Sequence, residues 1–132
     1  MRVVFDTNIF VSALVLPGSR AEQALQRVIE GVDRLLVSKP LIDELLGVLA
    51  RKFSRDREQL SRVALFLVEV GELIQPEVRL AVLADEPDNR LLECAVAGSA
   101  DVIVTGDQAV LALGHHEGVA LVSLRDYLEP DA

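Results

Sequence analysis

Short apolar runs rich in β-branched residues alternate along the chain with longer stretches whose apolar positions recur at helical spacing. That alternation predicts an α/β domain on a largely parallel sheet. Val3-Val4-Phe5 predicts the first strand, apolar on both faces as a central parallel strand requires, and Asp6 ends it. A helical stretch from Ile9 to Leu16 stops at Pro17-Gly18. Ser19 and Glu22 predict a capping box on a helix running to Gly31, with Leu25, Val28 and Ile29 on its inner stripe. Leu35-Leu36-Val37 is the second strand. Ser38 is expected to cap a helix with Pro40 in its first turn, continuing to about Phe53.

Leu60, Val63, Ala64, Leu67 and Val70 predict an amphipathic helix over Asp56 to Val70. Leu73-Ile74 reads as a short strand closed by Pro76, whereas Val78 to Ala84 fits no single pattern. Asp88 to Gly98 is expected to be a helix with Leu91, Leu92, Ala95 and Val96 inward. The run from Asp101 to Thr105 is the clearest buried strand. Gly106-Asp107 opens a short helix through Leu113, Val119 to Val122 is the last strand, and Tyr127 and Leu128 pack a terminal turn.

Composition narrows the class. With 132 residues, 51% of them hydrophobic, the chain suits one domain (1–132) that needs neither disulfide nor metal to build a core. Cys94 is the single cysteine, which excludes an internal disulfide and a multi-cysteine zinc site. Aromatic residues at 4% argue against a base-stacking platform. The balance of 13 Lys and Arg against 21 Asp and Glu gives a net charge of −8 and argues against broad wrapping of nucleic acid. Asp6 and Asn8 interrupt the apolar stretch a signal peptide needs, and no run approaches the ~18 apolar residues of a membrane span. A cytoplasmic protein is expected.

In open parallel sheets, functional groups gather outside the carboxyl ends of the strands. Asp6 directly follows one strong strand, and Asp107 follows another after Thr105-Gly106. Glu44 lies in the first turns of the helix after the second strand, and Asp88 begins the helix that feeds the Val102 strand. All four are therefore expected on one rim. At about 100° per residue, Leu41, Ile42, Leu45, Leu46, Val48 and Leu49 form one apolar arc. Glu44 sits on the border of that arc and Asp43 faces solvent; the same phase keeps Glu58 and Glu93 out of the group.

Two carboxylates about 4 Å apart repel by ~4 kcal/mol at an effective dielectric near 20. Such a cluster calls for protons or cations, and oxygen ligands without Cys or His suit Mg²⁺ or Mn²⁺. The chemistry this implies is metal-assisted phosphodiester hydrolysis. Each acid also has a plainer reading: Asp6 as a turn residue, Asp88 and Asp107 as helix caps, Glu44 as a solvated edge residue. Their joint placement on one rim favours a site.

Val4-Phe5-Asp6-Thr7-Asn8 with Ser12-Ala13-Leu14, Ser38-Lys39-Pro40 through Glu44-Leu45-Leu46, Asp85-Glu86-Pro87-Asp88-Asn89, and Ala100 through Asp107 resemble the PIN-domain family. Within it they are similar to the toxins of toxin–antitoxin systems, the VapC-like ribonucleases. The resemblance covers essentially the whole chain in order and spacing. It implies a three-layer α/β/α sandwich with a central, mostly parallel sheet, and a Mg²⁺- or Mn²⁺-dependent endoribonuclease. Carried over residue by residue, it puts Asp6, Glu44, Asp88 and Asp107 in the metal site, with Asn8 and Thr105 as polar supports. Asp85 is an understudy to Asp88, and Asp101, before its strand, is structural on the opposite rim. The resemblance also implies an RNA substrate, a homodimer and a small antitoxin partner, without a membrane.

Arg51, Lys52, Arg55, Arg57 and Arg62 form the densest basic group, at the turn between two helices, and eleven of the thirteen basic residues are Arg. The group reads as a guide for an RNA backbone, as a contact for an acidic partner, or as a solvated face balanced by Asp56 and Glu58. It lies at the far end of the Glu44 helix. His115-His116 are expected in a loop, Cys94 in packing, and the Leu60 to Val70 helix in the core before any dimer or antitoxin contact. Competing functions are a PIN-type RNA-processing or structure-specific nuclease without toxicity, and a scaffold that binds RNA or antitoxin without cutting. A phosphoacceptor receiver domain is disfavoured because Ser123-Leu124-Arg125 follows the last strand where a lysine belongs.

Overall fold

The computed structural model describes Met1–Pro130. Its strands are β1 (Arg2–Phe5), β2 (Arg34–Val37), β3 (Glu72–Leu73), β4 (Val102–Val104), β5 (His115–His116) and β6 (Val119–Val122). Its helices are α1 (Thr7–Val15), α2 (Arg20–Ile29), α3 (Lys39–Phe53), α4 (Arg57–Val70), α5 (Glu86–Ala97), α6 (Gln108–Leu111) and α7 (Leu124–Leu128). The sheet runs β3-β2-β1-β4-β6-β5, and every pairing is parallel except β5 with β6.

Strand alternation divides the core into two layers. Val3, Phe5, Leu35, Val37 and Val104 face a cluster completed by α1, α2, Leu45 and Leu49 of α3, Leu67 of α4 and Tyr127 of α7. Val4, Leu36, Ile103 and Leu121 face the opposite cluster, completed by Leu91, Leu92 and Ala95 of α5 and Val110 of α6. The result is the expected α/β/α sandwich. Each fully buried Leu or Phe in it contributes about 1.5–3 kcal/mol.

Local differences from the sequence pattern have physical causes. In α2, Ala21 and Ala24 join Leu25 and Val28 inside, while Ile29 is 46% exposed, because small residues let the helix lie close to α1. Ser19 Oγ accepts from the Glu22 amide at 3.2 Å, but Glu22 reaches back to the Gly18 amide, so the box closes one residue early. Ser38 takes the cap position of α3 with extended backbone, yet its hydroxyl makes no capping bond. β3 lies one residue earlier than predicted, and α5 starts at Glu86 with Asp85, not Asp88, at the cap. The short helix after Asp107 ends at Leu111. His115-His116, expected in a loop, form a hairpin strand with β6. Glu117 (φ 48°) and Gly118 (φ 84°) turn it, both at the positive φ that a two-residue type I′ connection demands.

The amino-terminal edge of the sheet is locked electrostatically. Buried Asp33 receives the Met1 amino group at 2.8 Å, Arg27 Nε at 2.9 Å, and the Tyr127 hydroxyl. Arg27 also lies 5.3 Å from the Tyr127 ring centroid. Burial alone would raise the Asp33 carboxyl, but hydrogen bonds from the amino group, Tyr127 and Arg27 hold it below its ordinary value. A depressed carboxyl stabilises the fold above its unfolded pKa near 3.9, and that contribution disappears as pH falls through the folded value. Asp33→Ala, which strands the Tyr127 hydroxyl, should therefore cost about 2 kcal/mol at pH 7. Denaturant unfolding at pH 7 and in acid below that range checks this: the difference from the parent protein should shrink in acid.

Candidate active site on the carboxyl rim

The register Phe5↔Val104 places the residues after β1 and β4 side by side. The Asp6 amide extends the ladder by donating to the Val104 carbonyl at 3.0 Å, and the Thr105 amide donates to Val122 at 3.0 Å. The Thr105 hydroxyl, fully buried, then joins two acidic segments. It donates to Asp6 Oδ2 at 2.7 Å and accepts from the Asp107 amide at 3.0 Å. Asp107 caps α6, its Oδ1 accepting from the Ala109 and Val110 amides at 2.8 and 3.3 Å. One oxygen of Asp107 thus serves the helix, as the cap reading of this residue expected.

Glu44 reaches the same rim from the first turns of α3. Asp43 points away from it and pairs with Lys39 at 2.7 Å, as helix phase predicted. Burial raises the Glu44 carboxyl; the buried Thr7 hydroxyl standing against it offsets part of the rise, and the charges of Asp6 and Asp85 add to it. Asp6 is raised too, by burial first and by the Asp107 charge, against the lowering effect of Thr105 and the Thr7 amide.

Asp88 lies in the first turn of α5 and is pushed up to about 6. Burial is the largest cause, followed by the charges of Asp107, Asp6, Asp85 and Glu44. Asp88 therefore feels the other four carboxylates across a single rim. Neither Asp6, Glu44 nor Asp88 has a Lys or Arg within 4.0 Å among the described residues.

The segment before α5 is irregular, which explains why residues 78–84 matched no repeat. Asn89, completely buried, accepts from the Val82 and Leu83 amides at 3.0 and 2.8 Å and donates to the Leu83 carbonyl at 2.9 Å. Glu93 takes the Leu80 amide at 2.7 Å and Arg90 at 2.7 Å. These side chains anchor the loop that sets where α5 begins, and with it the positions of Asp85 and Asp88.

Two expected supports differ in placement. Thr105 bonds Asp6 directly, whereas Asn8 is exposed and makes no side-chain bond to Asp6. Asp6 takes the cap of α1, so Thr7 turns inward toward Glu44 while Asn8 turns out. Thr7 and Asn89 escaped sequence reasoning because an uncharged polar residue inside an apolar pattern carries no signal of direction. Asp101 lies on the opposite rim, its Oδ2 accepting the Arg2 amide at 2.7 Å. Glu58 pairs with Arg62, also away from the group.

The donor chemistry fits a hard divalent cation: oxygen ligands only, mutually repelling, with no counter-charge of their own. Among the described residues, however, no three His, Cys, Asp or Glu side chains stand close enough together to hold one ion. Cation binding at this rim would require the carboxylates to close on it.

Thr105→Val keeps the shape and removes both hydroxyl bonds. It should cost about 1–3 kcal/mol and raise the Asp6 pKa further, since the lost bond favours the charged form. Carboxyl ¹³C NMR titration reads that rise, and Thr105→Ser should return Asp6 to its parent value.

The PIN domain family model matches residues 2–109. An uncharacterized protein of Methanocaldococcus jannaschii, MJ1680, is 27% identical over 117 residues, covering 86% of this chain and 75% of that protein. Among solved structures, VapBC2 from Rickettsia felis, bound to a DNA fragment from its promoter, superposes with a TM-score of 0.65. It shows 18% identity, over 93% of this chain and 98% of that one. VapBC-1 from nontypeable Haemophilus influenzae gives a TM-score of 0.60 at 18% identity, over 94% and 98% of the two chains. No helix among the described residues is long and apolar enough to cross a membrane. With its matched residues running from the first strand through the acid that caps α6, the chain belongs to the PIN domain family.

Proposed function

We propose that this PIN domain chain is a Mg²⁺- or Mn²⁺-dependent endoribonuclease, acting in the cytoplasm as the toxin of a toxin–antitoxin pair. The observation that carries the reading is the rim itself. Thr105 holds Asp6 and the start of the Asp107 segment together, and Glu44 and Asp88 share their rim, near enough to feel their charge, without a neutralising base. A structural cluster of this kind would be costly with nothing to offset its charge. Membership in a family of nucleases supplies the chemistry that offsets it, and the VapBC complexes among the structural neighbours support a small antitoxin as partner. A homodimer is part of the same reading.

In this reading Asp6, Glu44, Asp88 and Asp107 hold the divalent cation. The bound cation would supply positive charge to make water a better nucleophile and to stabilise the leaving oxygen. Hydrolysis adds the water oxygen to phosphorus as a phosphodiester P–O bond breaks, and the leaving oxygen takes up a proton. Thr105 keeps Asp6 in one rotamer, and the cap bonds fix one oxygen of Asp107. The Thr7 hydroxyl favours the charged form of Glu44. Asn89 holds the loop so that Asp88 enters from the α5 side.

Asp6→Asn preserves size and the Thr105 contact while removing one negative charge. It should reduce Mg²⁺- or Mn²⁺-dependent cleavage of single-stranded RNA by at least about 100-fold, the scale of losing one electrostatic element of a site, with an unchanged circular dichroism spectrum. Gel assays with EDTA and a matched DNA strand check metal need and substrate class. Full metal-dependent activity in the variant would overturn the assignment.

A further inference from the structure

Carboxylates outnumber basic groups in this protein, and most basic side chains find one. Of the 13 Lys and Arg residues, eight lie within 4.0 Å of an acid: Arg2, Arg20, Arg27, Arg34, Lys39, Arg62, Arg79 and Arg90. Among the described residues the five without such a partner are Arg51, Lys52, Arg55, Arg57 and Arg125. Four of those five fall in the seven residues 51–57, at the corner where α3 passes into α4.

Two acids lie within that corner. Asp56 caps α4, accepting from the Gln59 amide at 2.9 Å, and Glu58 is paired with Arg62 at 2.6 Å. Against Arg51, Lys52, Arg55, Arg57 and Arg62 they leave residues 51–62 with a formal excess of three positive charges.

Gly47 gives this charge a direction. A Cβ there would stand 2.9 Å from Arg51 Nη1, so the guanidinium lies back over the glycine, one turn toward the amino end of α3. Glu44, Gly47 and Arg51 are spaced i, i+3, i+7 and share one helix face. Gly47 is about 4.5 Å along the axis from Glu44, and Phe53, the last residue of α3, about 13.5 Å, at 1.5 Å per residue. At 3.4 Å per phosphate, that stretch matches about four stacked nucleotides.

We propose that Arg51, Lys52, Arg55 and Arg57 form an anchoring surface for the phosphate backbone of single-stranded RNA, whose strand runs along α3 to the acidic rim. This rests on the ribonuclease reading and adds to it how an enzyme of net charge −8 holds a polyanion. Guanidinium groups fork onto phosphate oxygens, and the four residues act as positioning residues remote from the reacting atoms.

The test compares the parent with the Arg51→Gln, Lys52→Gln, Arg55→Gln, Arg57→Gln variant, using a fluorescent 12-nucleotide RNA. Anisotropy in EDTA, where cleavage is blocked, reads binding across a salt series. The variant should bind on the order of 10-fold more weakly, and its log–log salt slope should flatten by about 2–3, since each phosphate contact contributes about 0.7 for a single strand. In Mg²⁺ or Mn²⁺ its KM should rise similarly with kcat within twofold. Arg125→Gln, which removes the fifth unpaired cation, should change neither quantity. An Arg51→Lys, Arg55→Lys variant should keep the salt slope. If the parent cuts RNA and the quadruple variant matches its affinity and slope, the anchoring proposal is wrong while the ribonuclease reading stands. Loss of binding to poly-glutamate instead would assign the corner to an acidic protein partner and overturn the proposal. A parent protein that neither binds nor cuts RNA would overturn both.

Discussion

Like-charge repulsion at the carboxyl rim is the constraint around which the rest of the molecule is arranged. Asp6, Glu44, Asp85, Asp88 and Asp107 come from four separate segments, and charges within the group oppose ionisation of Asp6, Glu44 and Asp88. Isolated side chains would rotate away from one another. Here the backbone opposes it, because Asp6 and Thr105 extend the ladder of the buried central strands β1, β4 and β6. The Thr105 hydroxyl converts that backbone register into side-chain position. Burial in the core below the rim, in Val4, Phe5, Ile103 and Val104, offsets the cost.

Charge is distributed unevenly over the remaining surface, and the distribution separates structural from available groups. Asp33 is saturated by three donors and closes the amino edge of the sheet. Glu72 bridges Arg2 and Arg34 beside it. Glu93 and Arg90 are spent on the loop before α5. Apart from these satisfied pairs, α3 carries acidic groups of the rim near its start and unpaired basic groups at its end. Under the proposed function, opposite charges toward the two ends of one helix would suit a polyanion whose reacting phosphate meets a bound cation while its tail meets arginine.

Much of this was legible in the sequence because parallel sheets translate order along the chain into place. Asp6 and Asp107 follow unbroken apolar strands, so their rim was readable from strand order alone. Asp43 and Glu44 were separable because 100° of helical phase decides which one faces the sheet. What stayed hidden depended on contacts between distant segments. The start of α5 is set by Asn89 gripping a loop that has no periodicity, so neither the cap at Asp85 nor the charge it adds to Asp88 could be read. Thr7 and Asn8 are both small and polar, and only the angle at which α1 leaves β1 sends one toward Glu44 and the other to solvent. The His115-His116 hairpin was missed because Glu117 occupies a positive-φ position usually signalled by Asn, Asp or Gly.

The central claim is that the rim closes around a divalent cation, and diffraction from crystals soaked in Mn²⁺ tests it most directly. The account predicts an anomalous peak bounded by oxygens of Asp6 and at least two of Glu44, Asp88 and Asp107, absent from Asp6→Asn crystals soaked in parallel. A rim that stays empty at saturating Mn²⁺, or a peak bound only by acids elsewhere on the surface, would contradict it.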